Sequence, residues 1–339
     1  MPARLSLSTR LRYLAERARR IDVPSVLERA RETSATHDKW TPAVVVDMLW
    51  QAGVHNVGFQ DYVDYDFAIL RRSERDTYMT HPVSNQLAQR YAHPADRHLF
   101  HDKVEFDRVF DRYLHRDWMV VEEGGADALR AFTERLGTVI AKVPVSQAGL
   151  GVHRYHAADV ADWDDFHRGL LARGEILVEE VIAQHPDLAA YCPGTVNTTR
   201  VTAFFDGGRT HVLAIAQKFG RGAASDQMTF GGFYTMLDEH GHAVGPGYDS
   251  HGHIHERHPD SGLRIADFRL PLVDEVLAFV DEVARVVPRV QYVGWDVVVT
   301  PDGPVLVEGN WAAGVYENKP SATGIRTGHK PRYREAIGF

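Results

Sequence analysis

A chain of 339 residues with one cysteine, Cys192, can form no internal disulfide. Stability has to come from a packed core, and such cysteine usage suits a reducing compartment, so a cytoplasmic protein is expected. As a nucleophile Cys192 is a poor candidate, because nothing beside it in sequence would activate a thiolate. No apolar run approaches the roughly 20 residues that a membrane-spanning helix needs, and no apolar signal-peptide core is seen. No membrane partner is therefore expected. Basic excess is missing too. Lys and Arg total 38 against 46 Asp and Glu, a formal charge of −8, which argues against a general nucleic-acid binder. Internal repeats and low-complexity linkers are likewise absent.

What is present is ordinary globular material, 44% apolar and 25% charged, long enough for two or three packed subdomains. The arginines between Arg4 and Arg29 alternate with Leu, Ala and acidic residues, a pattern of an amphipathic helix rather than a transit peptide. Helical spacing recurs in Leu11–Ala15, Val44–Trp50 and Leu87–Tyr91, and Asp107–Tyr113 continues a short helix that begins after Lys103. From about residue 117, short β-rich runs take over: Trp118–Val121, Thr138–Val143, Glu175–Ile182, Thr199–Phe205 and His211–Lys218. Helical patterns separate several of them, at Ala126–Leu136, Asp162–Leu171 and Pro271–Val287. Several β connections are too short for crossover helices, so an α+β or mixed arrangement with largely antiparallel pairing is expected. Asp238–Gly262, rich in Gly, His, Pro and Asp, reads as a long loop.

Two stretches carry chemistry. Near the C-terminus, Gly294–Thr300 and Pro304–Asn310 flank Pro301-Asp302-Gly303, a strong hairpin signal. Glu308 and Asn310 are two apart and share a face, and Asp296 on the first strand can converge with them. Carboxylates and a carboxamide are hard oxygen ligands, the set Mg²⁺ takes when it also holds nucleotide phosphates. Carboxylates inside apolar strands are costly unless partnered, which favours a metal role over edge solvation. Earlier, Lys142 ends a β run and leads into Gly149-Leu150-Gly151, after which a second run begins. Such a glycine turn lets backbone N–H groups approach an anion, and it is also compatible with a simple tight turn. No Gly-Lys-Ser/Thr follows, so it is not a Walker A loop.

Taken in order, a strand lysine with a glycine loop, the acidic strand end Val178-Glu179-Glu180-Val181 and the Asp…Glu-x-Asn hairpin resemble the ATP-grasp superfamily over residues 100–312. The resemblance implies two α+β subdomains clasping ATP, preceded here by a mainly helical N-terminal domain. By that likeness residues 1–102 form the helical domain and 103–339 the ATP-grasp domain. Within the latter, about 117–182 is the central lid-bearing subdomain and 183–339 the C-terminal one with the metal hairpin. Lys103 and Lys142 correspond to the two phosphate lysines and Gly149 and Gly151 to the phosphate lid. Glu179, Glu180, Val181 and Ile182 correspond to the adenine hinge. Asp296, Glu308 and Asn310 would hold one or two Mg²⁺ ions, with Mn²⁺ as a possible substitute.

The sugar-transfer-associated ATP-grasp family is the nearest likeness. His101-Asp102-Lys103-x-x-Phe106, Gln184-His185-Pro186, Pro193–Arg200, Gly231-Gly232, His258–Gly262 and Gly294-Trp295-Asp296 carry it, with one departure at Gln227, where Asn is expected after Asp226. The implied activity is an ATP-dependent carboxylate–amine ligase acting on a small-molecule carboxylate and amine. The carboxylate becomes an acyl phosphate, an amide forms, and ADP and phosphate leave. A phosphotransferase on the same fold, a non-catalytic nucleotide-binding protein and a histidine-loop metalloprotein are the alternatives. The family label points to biosynthesis of glycoconjugates or small metabolites and leaves the substrates and the oligomeric state open.

Individual side chains keep alternatives. Arg200 is either paired within the fold or directed at the γ-phosphate and the acyl phosphate that replaces it, for which a guanidinium is suited. Lys218, and with it Arg221, is a candidate for the same anion site. Asn197 reads as a turn or cap residue and His185 as the cap of a helix begun at Pro186. His240, His242, His251, His253, His255 and His258 could be a substrate-facing loop, a solvated loop or a zinc site.

Overall fold

The computed structural model describes residues 22–146 and 149–339. Of the amphipathic helix read between Arg4 and Arg29, the part up to residue 21 lies outside them, as do Gln147 and Ala148 of the glycine loop, while Arg29 falls in the helix Val23–His37. Helices Val23–His37, Thr41–Val54 and His81–Tyr91 come first, followed by Lys103–Leu114. The last starts where the sequence places it because the Asp102 side chain accepts from Val104 N and Glu105 N, filling two of the donors that a helix start leaves unpaired.

Two antiparallel sheets follow. The smaller contains β1 (Trp118–Val120), β2 (Thr138–Lys142), β3 (Val152–His156) and β4 (Leu177–Glu180), in the order β1-β4-β2-β3. The larger contains β5 (Thr199–Phe205), β6 (Thr210–Phe219), β7 (Phe233–Leu237), β8 (Gly247–Tyr248), β9 (Ile254–His255), β10 (Tyr292–Thr300) and β11 (Gly303–Asn310). Its order is β11-β10-β5-β6-β7-β8-β9. Asp238–Gly262 is thus not all loop. It supplies β8 and β9 as two-residue strands at the edge of the sheet, and β7 just before it, Phe-Tyr-Thr-Met-Leu, was not read as a strand.

The larger sheet has two unlike faces because side chains alternate along a strand. Val293, Trp295, Val297 and Val299 of β10, with Val201 and Ala203 of β5, join Phe106, Phe110 and the Val276, Val280 and Val283 ridge of helix Val273–Ala284 in the main core. The intervening positions, Asp296 and Arg200 among them, project to the other face. Pairing then aligns the polar groups: Asp296 is opposite Arg200 on one side and opposite Glu308 on the other, and Gly294 is opposite Asn310.

One irregularity matters. The β10–β11 register slips between Asp296 and Val297, whose partners are Glu308 and Leu306. Val307 is the extra residue, and this bulge re-aims the strand. Without it Leu306 and Glu308 would share a face; with it Leu306 enters the core while Glu308 lines a cleft. Among the described residues no helix is long and apolar enough to cross a membrane.

Candidate active site

A cleft of about 480 Å³ lies between the two sheets. The smaller sheet gives it Ile140, Lys142, Val152, Glu179 and Glu180, continued by Val181 and Ile182 beyond β4, and the larger gives Arg200, Lys218, Asp296, Glu308 and Asn310. Lys103 and Gly149 also line it. Gly151 does not. It turns the β2–β3 connection with a φ of 68°, and its carbonyl accepts from Val143 N. A Cβ there would meet Val143 Cγ2 at 2.6 Å, so glycine is needed both for conformation and for space.

On the large-sheet wall four charges form one buried cluster. Arg200 donates to Asp296 through Nε at 2.6 Å and Nη2 at 2.8 Å. Lys218 Nζ lies 3.3 Å from both Asp296 Oδ2 and Asp226 Oδ1. Asp226 also accepts from Thr198 N and Oγ1. Burial alone would raise the Asp296 pKa, but the Arg200 and Lys218 charges outweigh it and hold the carboxyl at about 2. Burial disfavours both cations, yet Asp296 beside Arg200, and Asp226 with Asp296 beside Lys218, push the two pKa values up. Of the two readings open for Arg200, the structure shows the paired one, at the edge of the cleft.

Beside this cluster, Asn310 Nδ2 donates to Glu308 Oε1 at 3.1 Å. Turning its nitrogen that way leaves the amide oxygen as the group that Asn310 can offer a cation. Glu308 and Asn310 therefore suit a hard divalent ion such as Mg²⁺. Asp296 suits it only by sharing a carboxylate already engaged by two cations.

The opposite wall holds the lysines. Lys103 Nζ donates to Ser146 O at 3.0 Å and Ser146 Oγ at 3.1 Å, which ties it to the segment leading into the glycine turn. Burial lowers its pKa, against the pull of the Glu308 carboxylate. Lys142 forms an ion pair with Glu179. Glu179 is itself buried, and Arg116 Nη2 donates to its Oε1 at 2.9 Å. Desolvation raises the Glu179 pKa, but Arg116 and Lys142 override it and hold the carboxyl well below the usual range. Asp107 sits against the same group. Desolvation and the Glu179 charge raise its pKa above the ordinary carboxylate value, against the pull of Arg116 and Lys142.

Arg116, Asp107 and Asp226 were not legible as site residues. Asp107 and Arg116 carry no motif: one sits on a helix, the other in a short connection, and only folding brings them to Glu179. At Asp226 the sequence draws the eye to Gln227 instead. Other residues resolve as structural. Asn197 Oδ1 accepts from Gly220 N and its Nδ2 donates to Leu188 O. His185 Nδ1 accepts from Asp187 N, the cap expected of it. Arg221 is drawn off to an exposed pair with Asp260.

The family model described as sugar-transfer associated ATP-grasp matches residues 168–326. No curated protein matches the chain. Among solved structures, D-alanyl-alanine synthetase A from Vibrio cholerae O1 biovar eltor str. N16961 is similar at 13% identity and a TM-score of 0.42, over 73% of this chain and 63% of its own. The ATP-grasp ligase PsnB, complexed with a phosphomimetic variant of minimal precursor, Mg and ADP, is similar at 14% and 0.42, over 76% and 66%. D-alanine–D-alanine ligase from Bacillus anthracis is similar at 15% and 0.40, over 76% and 70%. The chain spans just under two thirds of the length of the first two.

Proposed function

On the footing that residues 168–326 belong to the sugar-transfer associated ATP-grasp family, we propose that this protein is an ATP-dependent carboxylate–amine ligase. The observation that carries the reading is convergence. Lys103 and Lys142 from one wall of the cleft face Glu308, Asn310, Arg200 and Lys218 on the other. That is the residue set needed to bind a polyphosphate, hold its counter-ion and stabilise a migrating phosphoryl group.

In this reading the adenine lies along Glu179–Ile182 beside the apolar Ile140 and Val152, and the phosphates extend toward Lys103 and Lys142. Glu308 and Asn310, with a shared Asp296, would hold Mg²⁺, which when bound would neutralise charge on the phosphate oxygens. Arg200 and Lys218 stay fixed by Asp296 and Asp226, so they need not reorganise when charge develops. A substrate carboxylate oxygen attacks the γ-phosphorus, the bond to the β-bridging oxygen breaks, and ADP leaves. An amine nitrogen then attacks the acyl carbon of the acyl phosphate and gives up a proton, inorganic phosphate departs, and the amide remains. The Gly149 turn, which lines the cleft, would limit access of water, which would otherwise hydrolyse the acyl phosphate.

The test is ADP release across a panel of carboxylates with hydroxylamine as the nucleophile. Carboxylate-dependent hydroxamate formed in step with ADP supports the ligase. ADP release with a phosphorylated product and no hydroxamate points to the phosphotransferase. ATP binding with no turnover on any carboxylate points to a nucleotide-binding protein.

A further inference from the structure

The turn Asp249-Ser250-His251-Gly252-His253-Ile254-His255 lies outside the cleft, and none of its residues lines it. We propose that Asp249, His251, His253 and His255 form a binding site for a divalent transition-metal ion of the zinc class, separate from the nucleotide site.

The backbone gathers the ligands. Asp249 Oδ1 accepts from His251 N at 2.9 Å and from His253 N at 3.0 Å, bending the chain so that alternate side chains turn toward the carboxylate. Ligand atoms of Asp249, His251 and His253 all lie within 4.8 Å of one another. Asp249 Oδ2 is 2.9 Å from His253 Nδ1 and 3.6 Å from His255 Nε2. That His255 nitrogen is buried, and its contact with Asp249 is too long for a hydrogen bond, leaving it without one. A polar atom so placed costs free energy unless something satisfies it, and a metal ion beside Asp249 would. The His255 ring is held for that role by stacking on Phe233, with centroids 4.3 Å apart and planes at 26°.

The donor set selects the ion. Three imidazoles and one carboxylate suit Zn²⁺ and its neighbours in the first transition row, whereas Mg²⁺ and Ca²⁺ prefer all-oxygen sites. With bonds of about 2.0–2.1 Å, tetrahedral ligands stand roughly 3.3 Å apart. Rotation of the two exposed side chains, His251 and His253, can close that gap. Ser250 O accepts from Gln60 Nε2 at 3.1 Å, so an ion here would brace the β8–β9 edge where it meets the helical region.

The chain contains its own control. Asp238 Oδ1 accepts from His240 N and His242 N, each at 2.9 Å, which is the same turn. The next alternate position is Val244, which offers no ligand. Two histidines and a carboxylate on that turn lack the fourth donor.

Untagged protein, stripped of metal and free of nucleotide, should be titrated with Co²⁺ and then with Zn²⁺. The proposal expects one equivalent of Co²⁺ giving the intense visible bands of a four-coordinate site, which six-coordinate all-oxygen cobalt lacks, and displacement by Zn²⁺. His251→Ala/His253→Ala should weaken Zn²⁺ binding at least about tenfold, with unchanged circular dichroism because both side chains are exposed. His240→Ala/His242→Ala should bind as wild type does. Absence of the bands in wild type, or equal binding by the His251→Ala/His253→Ala variant, overturns the site.

Discussion

Asp296→Asn removes one negative charge from the centre of the Arg200–Asp296–Lys218–Asp226 cluster while keeping the shape of the side chain. Asp296 is only 2% exposed, so water cannot replace what is lost. The cost follows from linkage. A carboxyl held at about 2 instead of its ordinary 3.8 contributes on the order of 2 kcal/mol to stability at neutral pH. Because the folded-state pKa is the depressed one, that contribution is present above pH about 4 and is lost as pH falls toward 2. Loss of about 2 kcal/mol is below the roughly 3–5 kcal/mol expected when one partner of an isolated buried ion pair is removed. Asp226 explains the difference, since it still pairs with Lys218. Urea denaturation at pH 7 should therefore show a drop of about 2 kcal/mol, and between pH 4 and 2 the variant should lose less stability than wild type. Arg200→Met in the Asp296→Asn background should cost less than in wild type, because it removes a cation with no partner. A drop of under about 0.5 kcal/mol at pH 7 with an unchanged acid limb would refute the claim that these charges are paired and dry.

Asp107→Asn should act in the opposite sense. With its folded-state pKa raised by burial and by the Glu179 charge, the native state binds its proton more tightly than the unfolded chain does, so wild-type stability falls as pH rises above about 4. Asn carries no charge to desolvate beside Glu179. Urea denaturation at pH 6 and pH 9 should show wild type losing more stability than the variant between the two. Gly232→Ala would place a Cβ 2.2 Å from Asp226 O and 2.9 Å from Gln227 O. Backbone atoms cannot yield cheaply, so a loss of about 2 kcal/mol is expected, together with weaker ATP binding as Asp226 is pushed off Lys218, both readable by calorimetry.

The hairpin of β10 and β11 was legible because its signals are local: two β-branched runs, a Pro-Asp-Gly turn and a period of two. Its bulge was not. Nothing in Val305-Leu306-Val307-Glu308 marks Val307 as the extra residue, yet that insertion alone lets Leu306 enter the core and Glu308 face the cleft. β5 and β6 were legible as continuous apolar runs, and β7, Phe-Tyr-Thr-Met-Leu, carries the same kind of signal but was passed over; β8 and β9 are two residues each in a stretch rich in Gly and His, and they exist as strands only by adding to an edge already built. At the site, glycine and lysine near a strand end could be read from spacing. Arg116 and Asp107 could not, since their role is set by Glu179, which lies more than sixty residues away in the chain. Arg200 shows the limit of residue-type reasoning. A guanidinium in an apolar strand stands out in the sequence, but whether it meets an anionic ligand or a carboxylate of the fold depends on register, and register sets it opposite Asp296.

The most direct test of the nucleotide site is a thermal-shift titration with ATP, with and without Mg²⁺, on wild type and on Glu308→Ala/Asn310→Ala. At about 100 times its dissociation constant ATP should stabilise wild type by roughly 2.7 kcal/mol. The account predicts that this shift requires Mg²⁺ and vanishes in the double variant, whose own unliganded melting temperature stays near that of wild type. No shift in wild type, or an equal shift in the double variant, would contradict it.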